Sequence, residues 1–134
     1  MEKSIFISTT KADSHWVKHL NKWADKGQLG DELFLTHQAA TFMSYEAAKQ
    51  ILEPYIRHAT LSFILFGEND HVDEWNHALL DLAQETGSKI FVMRIPLTSD
   101  PVPEYLKELD EIAFNPNAIQ KQIRELRNFS YLRG

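Results

Sequence analysis

Two patterns of apolar residues divide the middle of the chain into strands and a helix. Near-continuous apolar runs cover residues 61–66 and 90–95, which is typical of strands buried on both faces of a sheet. Between them, apolar residues recur at spacings of three and four and predict an amphipathic helix. Its apolar stripe comprises Val72, Trp75, Leu79, Leu82 and Ala83. Two buried strands joined by one helix form a βαβ unit with parallel strands.

The same helix has a predicted polar face and a predicted end. We expect the polar face to carry Asp73, Asn76, Asp81 and Gln84. Gly87 follows the last apolar position and is expected to end the helix in a C-cap role.

The remaining pattern adds three strands and four helices. Strands are predicted at residues 3–8, 32–36 and 111–114, and the second is the least apolar, which favours a sheet edge. Helices are predicted at residues 14–26 and 44–58, with a short one at 103–109 and a last one opened by Asn115 and Pro116. Asp13 or Ser14 is expected to cap the first helix, and Pro54 predicts a kink or break near Leu52.

Alternation of strands and helices predicts the fold class directly. We expect an α/β protein, a three-layer αβα sandwich with a five-stranded parallel sheet in the flavodoxin-like order 2-1-3-4-5. A chain of 134 residues matches one domain, 1–134. Ligands of such sheets bind beyond the carboxyl ends of the strands, so this edge is the expected site.

The composition of the chain limits the classes of binding partner and the localisation that are expected. The net charge of −5 and the scattered Lys and Arg residues argue against a nucleic-acid surface, which needs clustered basic charge. No apolar run approaches the roughly 18 residues of a membrane span, so no membrane contact is expected. The absence of cysteine fits a reducing compartment, and the expected localisation is cytoplasmic.

Three segments beside the expected strand ends offer candidate ligand-binding residues. Ser8, Thr9, Thr10 and Lys11 read as a hydroxyl-rich loop before a helix, which suits either a phosphate or ordinary capping. Gly67, Glu68 and Asn69 follow the third strand, and acids near them suit either ribose hydroxyls or a helix N-terminus. Arg94 ends the fourth strand and is expected to reach solvent, an anion or one of these acids.

Other site chemistry is not favoured. His15 and His19 are four residues apart on one predicted helix, but they lack a third ligand nearby, so no metal is expected. Phosphoacceptor chemistry of response regulators needs paired acids after the first strand and a lysine after the fifth. Ser8-Thr9 and Asn115-Pro116 stand in those places.

Four segments carry a family resemblance: FILFGEN, DEWNHALLDLA, KIFVMRIP and VPEYLKELDEIAFNPNAIQKQI. Together they resemble the TIR-like family of small flavodoxin-like prokaryotic domains, which includes the TIR-like proteins of Thoeris anti-phage defence. The resemblance implies NAD or an ADP-ribose-like nucleotide as ligand, because active TIR domains cleave NAD or make cyclic ADP-ribose messengers. It also implies that Trp75, most simply a core residue, lies near the wall of the pocket.

The resemblance also implies where a catalytic glutamate would lie, four residues after the tryptophan. That position is Leu79, which argues against NAD hydrolysis, and Glu68 or Glu74 would have to substitute. The catalytic residues are therefore unknown. The sequence favours a non-catalytic or weakly catalytic TIR-like signalling domain that binds a nucleotide-like ligand or a protein partner. Alternatives are an NAD-consuming enzyme of anti-phage defence and an interaction module that forms homo-oligomers through helix faces.

Overall fold

The computed structural model describes residues 3–30, 33–67, 72–99 and 101–133. Five parallel strands form one sheet in the order β2-β1-β3-β4-β5. The strands are β1 (Lys3–Thr10), β2 (Leu33–Ala40), β3 (Leu61–Phe66), β4 (Lys89–Arg94) and β5 (Glu111–Ile112). The predicted α/β fold and strand order are confirmed, and β2 lies at an edge as its weaker apolar pattern indicates.

Four α-helices and two single 3₁₀ turns connect the strands. The α-helices are α1 (Val17–Asp25), α2 (Tyr45–His58), α3 (Asp73–Thr86) and α4 (Pro116–Arg133). A 3₁₀ turn at Ser14–Trp16 precedes α1, and a second at Glu104–Leu106 lies in the long connection between β4 and β5. Among the described helices, none is long and apolar enough to cross a membrane.

Two apolar clusters lie on opposite faces of the sheet and define three layers. The alternation of β1 separates them, because Ile5 and Ile7 join one cluster and Phe6 joins the other. Leu20 of α1 and Ile119 of α4 pack in the first cluster, and α2 and α3 cover the second. The carboxyl ends of the strands therefore meet at one edge of the sheet, between the two helix layers.

Helix ends follow the predicted capping chemistry in two places. Gly87 has φ of 73° in the left-handed region and ends α3. The side-chain oxygen of Asn115 accepts a hydrogen bond from the Ala118 amide at 2.8 Å at the start of α4. These two residues fix where α3 returns to β4 and where the last helix leaves β5.

Four predicted boundaries are wrong. β1 continues through Thr10 and β2 through Ala40, because the two strands remain paired as far as Thr10 and Ala40. β5 is only two residues long, and the predicted helix at 103–109 is a single 3₁₀ turn. Each boundary depends on a neighbouring strand or loop that local propensity does not report.

Helix α2 runs without a break through Pro54 to His58. A proline inside a helix costs about 3 kcal/mol, because it removes one backbone hydrogen bond and crowds the preceding turn. Ala48, Leu52 and Ile56 are all fully buried on the stripe that packs in the second cluster. Burial on both sides of Pro54 offsets the local penalty, so the expected break near Leu52 does not occur.

Candidate functional site

The end of β1 is occupied by strand residues where a loop was predicted. Ser8, Thr9 and Thr10 are buried, and Lys11 is the first exposed residue of this segment. The Thr9 hydroxyl donates to the carbonyl oxygen of Thr10 at 3.2 Å. The loop prediction is therefore wrong for Thr9 and Thr10, and a phosphate-binding role for the segment stays a prediction.

Trp75 ties the first turn of α3 to β1. Its indole nitrogen donates a buried hydrogen bond to the Ser8 hydroxyl oxygen at 2.8 Å, and the side chain is 1% exposed. The bond satisfies the polar atom of a ring that otherwise packs in the second cluster. The core interpretation of Trp75 is confirmed, and the residue also contributes to the wall of a cleft, whose role in ligand binding stays a prediction.

That cleft, called here the Trp75 cleft, opens between the β2–α2 connection and the start of α3. Its volume is about 170 Å³, and it is lined by Thr41, Phe42, Met43, Val72, Asp73, Glu74 and Trp75. Phe42 is 89% exposed. The cleft thus combines an accessible aromatic ring and aliphatic walls with two carboxylates, a lining that suits a planar group bearing hydrogen-bond donors.

A hydrogen-bonded chain behind the cleft fixes one of these carboxylates. Asn76 is 1% exposed and donates to the Tyr105 hydroxyl oxygen at 3.2 Å. Tyr105 in turn donates to the Asp73 carboxylate at 2.8 Å, and its ring stacks on His77 with centroids 4.4 Å apart. Asn76 was predicted on the polar, outer face of the helix, which is wrong because the β4–β5 connection covers that side of α3.

A second polar contact joins the ends of β1 and β3. Thr10 donates a hydrogen bond to the Asp13 carboxylate at 3.0 Å, and that carboxylate lies against Gly67. Neither predicted cap of the first helix is formed, because Asp13 makes no side-chain capping bond and the Ser14 hydroxyl donates to the carbonyl oxygen of Lys11. A Cβ atom at Gly67 would collide with the Asp13 carboxylate, so that side chain would have to move.

Replacing Gly67 by alanine is therefore expected to lower the free energy of unfolding by about 1 kcal/mol, the usual worth of one hydrogen bond. The added methyl group displaces Asp13 and breaks its bond to Thr10. Urea unfolding of Gly67→Ala and of Asp13→Ala/Gly67→Ala measures the effect. The penalty should vanish in the Asp13→Ala background, and an equal penalty in both backgrounds would contradict the steric explanation.

Arg94 at the end of β4 bonds to residues close to it in the structure. Its guanidinium pairs with Glu111 of β5 at 2.5 Å, donates to the Thr98 carbonyl oxygen at 3.3 Å and lies 5.3 Å from the centre of the Phe66 ring. A salt bridge was one of the predicted outcomes, but the partner is Glu111 and not one of the expected acids after β3. The predicted residues Glu68 and Asn69, together with Asp70, lie outside the described residues.

His15 and His19 pack against an aromatic side chain. Both rings lie beside Trp16, with centroids 5.2 and 5.3 Å away. Within the described ranges, no three His, Cys, Asp or Glu side chains group to hold a metal ion.

Two polar links join α2 to α3 and hold the helices on that side of the sheet together. The Tyr45 hydroxyl donates to Asp81, and this hydrogen bond is the main reason that the pKa of Tyr45 lies above its ordinary value. The bond between Lys49 and Glu85 likewise raises the pKa of Lys49. Because the pKa values of Tyr45 and Lys49 are raised, each link contributes fully to stability below the ordinary pKa of its donor. The contribution is lost as the pH rises through the raised pKa. Both links are therefore present at neutral pH, and deprotonation of Tyr45 and Lys49 removes them in alkaline solution.

Comparison with known proteins places the fold and no more. No family model and no curated protein sequence matches the chain. A crystal structure of a putative pilus assembly-related protein from Burkholderia pseudomallei K96243 is similar with a TM-score of 0.58 and 16% identity, over 92% of this chain and 88% of that one. A GDP-L-fucose synthetase from Naegleria fowleri is similar with a TM-score of 0.46 and 16% identity, over 94% of this chain and 42% of that one. At this identity the pilus-related structure shows a shared architecture alone.

Proposed function

We propose that this protein is a TIR-like signalling domain that binds a nucleotide-like ligand in the Trp75 cleft and lacks the acid that would cleave it. One observation carries the proposal: Trp75 lines an open cleft at the carboxyl edge, and Leu79, four residues later on α3, is completely buried. The position at which the resembling family carries its glutamate is therefore part of the core.

The lining of the cleft supports a nucleoside rather than a phosphate as the bound group. The exposed ring of Phe42 offers a face on which a base can stack, and such stacking is worth about 1–3 kcal/mol per base. Asp73 and Glu74 accept hydrogen bonds from ribose hydroxyls or exocyclic amines and repel phosphate. The phosphates of a dinucleotide would then extend away from the cleft, toward the predicted cations Lys11 or Arg94.

The environment of Leu79 supports the absence of strong catalysis. Leu79 packs with Trp75, Ala78 and Leu82 in the second cluster, where every one of these side chains is buried. A carboxylate in such surroundings would be desolvated and unpaired, so it would destabilise the fold. A leucine at this position is what the helix needs to pack.

An NAD-consuming enzyme of anti-phage defence is the second candidate. It is favoured by Glu74, an exposed carboxylate that lines the cleft beside Trp75. In this version Glu74, five residues before Leu79 on the same helix, takes the place of the family glutamate.

Titration of ¹⁵N-labelled protein with NAD and with ADP-ribose tests the binding proposal. We expect amide shifts at Thr41–Met43 and Glu74, and an affinity roughly tenfold weaker in Phe42→Ala, equivalent to about 1.4 kcal/mol of lost stacking. Leu97→Ala is the matched control, because Leu97 is 97% exposed but lies after β4. Binding that is absent, or equally strong in Phe42→Ala, would refute the proposal.

Nicotinamide release separates the two candidates. The non-catalytic domain binds NAD without releasing nicotinamide. Turnover that Glu74→Gln or Glu68→Gln abolishes would instead establish the enzyme, with the substituted residue as its carboxylate.

A further inference from the structure

The outer edge of β2 is a surface that the cleft does not use. β2 is eight residues long and pairs with β1 along its whole length, and it has no second strand neighbour in the described part of the chain. An edge strand of this kind presents backbone donors and acceptors to solvent and is a template for another strand.

The β2 edge lacks the devices that usually prevent such pairing. Its sequence, LFLTHQAA, contains no Lys, Arg, Asp, Glu or Pro. Natural edges are protected by charged residues, proline, bulges or short length. The opposite edge follows that rule, since β5 has two residues and begins with the charged Glu111.

Exposed apolar side chains collect on the same side of the molecule. Four large hydrophobic residues of the described chain are well exposed, and two of them belong to this side: Phe34 (59%) on β2 and Ile51 (40%) on α2. Tyr55 accepts a hydrogen bond from Gln38 of β2 at 2.6 Å, which places α2 over this strand. Ile51 lies one turn before Tyr55 on the same side of α2.

We propose that the β2 edge is the interface between two copies of this chain, paired antiparallel about a two-fold axis into one continuous sheet. Such an axis brings β2 against itself and keeps the α2 layers of both copies on one face, so that Phe34 and Ile51 of both copies are covered together. The net charge of −5 opposes self-association in general, but β2 carries no formal charge with His neutral, so this edge adds no like-charge repulsion of its own. This contact uses a strand edge and is independent of ligand binding in the cleft.

Sedimentation velocity from low to high micromolar protein tests the proposal. The wild-type chain is expected to show a concentration-dependent monomer–dimer equilibrium, which Phe34→Lys weakens by about tenfold or more by adding the charge that guarded edges carry. Leu97→Lys is the matched control and should dimerise as wild type does, because Leu97 is exposed after β4. A wild-type chain that stays monomeric, or a dimer insensitive to Phe34→Lys, overturns the proposal.

Site-directed cross-linking gives a second test that does not depend on the Phe34 variant. The chain has no cysteine, so His37→Cys introduces a single thiol on an exposed position near the middle of β2. Mild oxidation should link two His37→Cys chains, whereas Lys107→Cys in the β4–β5 connection should remain unlinked. Failure to cross-link at position 37, or equal cross-linking at both positions, also contradicts the β2 interface.

Discussion

Replacing Trp75 by alanine is expected to lower the free energy of unfolding by about 3–5 kcal/mol, the usual cost of removing a buried aromatic side chain. Trp75 is among the largest fully buried side chains and packs in the cluster that holds α2 and α3 on the sheet. The substitution leaves a cavity and also removes the only described partner of the Ser8 hydroxyl. Urea unfolding followed by circular dichroism measures the loss, and a change below about 1 kcal/mol would contradict the packing described here.

A double-mutant cycle separates the hydrogen bond from the packing. Trp75→Phe keeps most of the aromatic surface and removes the indole nitrogen, and Ser8→Ala removes the acceptor. The two substitutions should couple by about 1 kcal/mol, since a buried neutral hydrogen bond contributes about that much. Additive effects would mean that the contact between β1 and α3 contributes no stability of its own.

Periodicity predicts most of this fold because burial on the sheet is decided by pattern rather than by individual contacts. β3 and β4 are apolar on both faces and are central, whereas β2 is mixed and lies at the edge. The predicted apolar stripe of α3 is buried except at Val72, which is partly buried. A repeating signal over many residues survives local exceptions.

The site is less predictable because its details depend on pairs of residues far apart in the chain. Thr9 and Thr10 read as loop residues, yet continued pairing with β2 keeps them in a strand. Asn76 reads as a surface residue, yet Tyr105 from the β4–β5 connection covers it and accepts its hydrogen bond. A buried amide beside a tryptophan has no sequence signature of its own, since its partner is 29 residues away.

Arg94 shows the same limit from the side of charge. The sequence places a cation at the end of a strand and predicts a carboxylate or anion for it. The sequence does not identify Glu111 as that carboxylate, because β5 is so short that its register against β4 is not apparent from the pattern. The sequence therefore predicts what kind of group Arg94 binds, but not which residue provides it.

Leu79→Glu is expected to destabilise the domain by several kcal/mol at neutral pH without producing NAD cleavage. The new carboxylate would be buried in an apolar cluster with no described cation beside it, and removing a charge from water costs more than the fold can recover there. Burial raises the pKa of such a group above its unfolded value. The penalty is then small below the unfolded pKa of about 4.3, where the group is protonated in both states, and grows as the pH rises above it.

Leu79→Gln supplies the matched control, because it has nearly the same size and polarity without a titratable group. Its free energy of unfolding should be lower than that of the wild type by an amount that varies little between about pH 4 and 7. The further, pH-dependent loss in Leu79→Glu then measures the cost of the buried charge. NAD cleavage by a well-folded Leu79→Glu protein would show instead that position 79 of α3 accepts a carboxylate. The leucine would then be a simple replacement within an intact catalytic site, and the proposed loss of chemistry would be reversible by one residue.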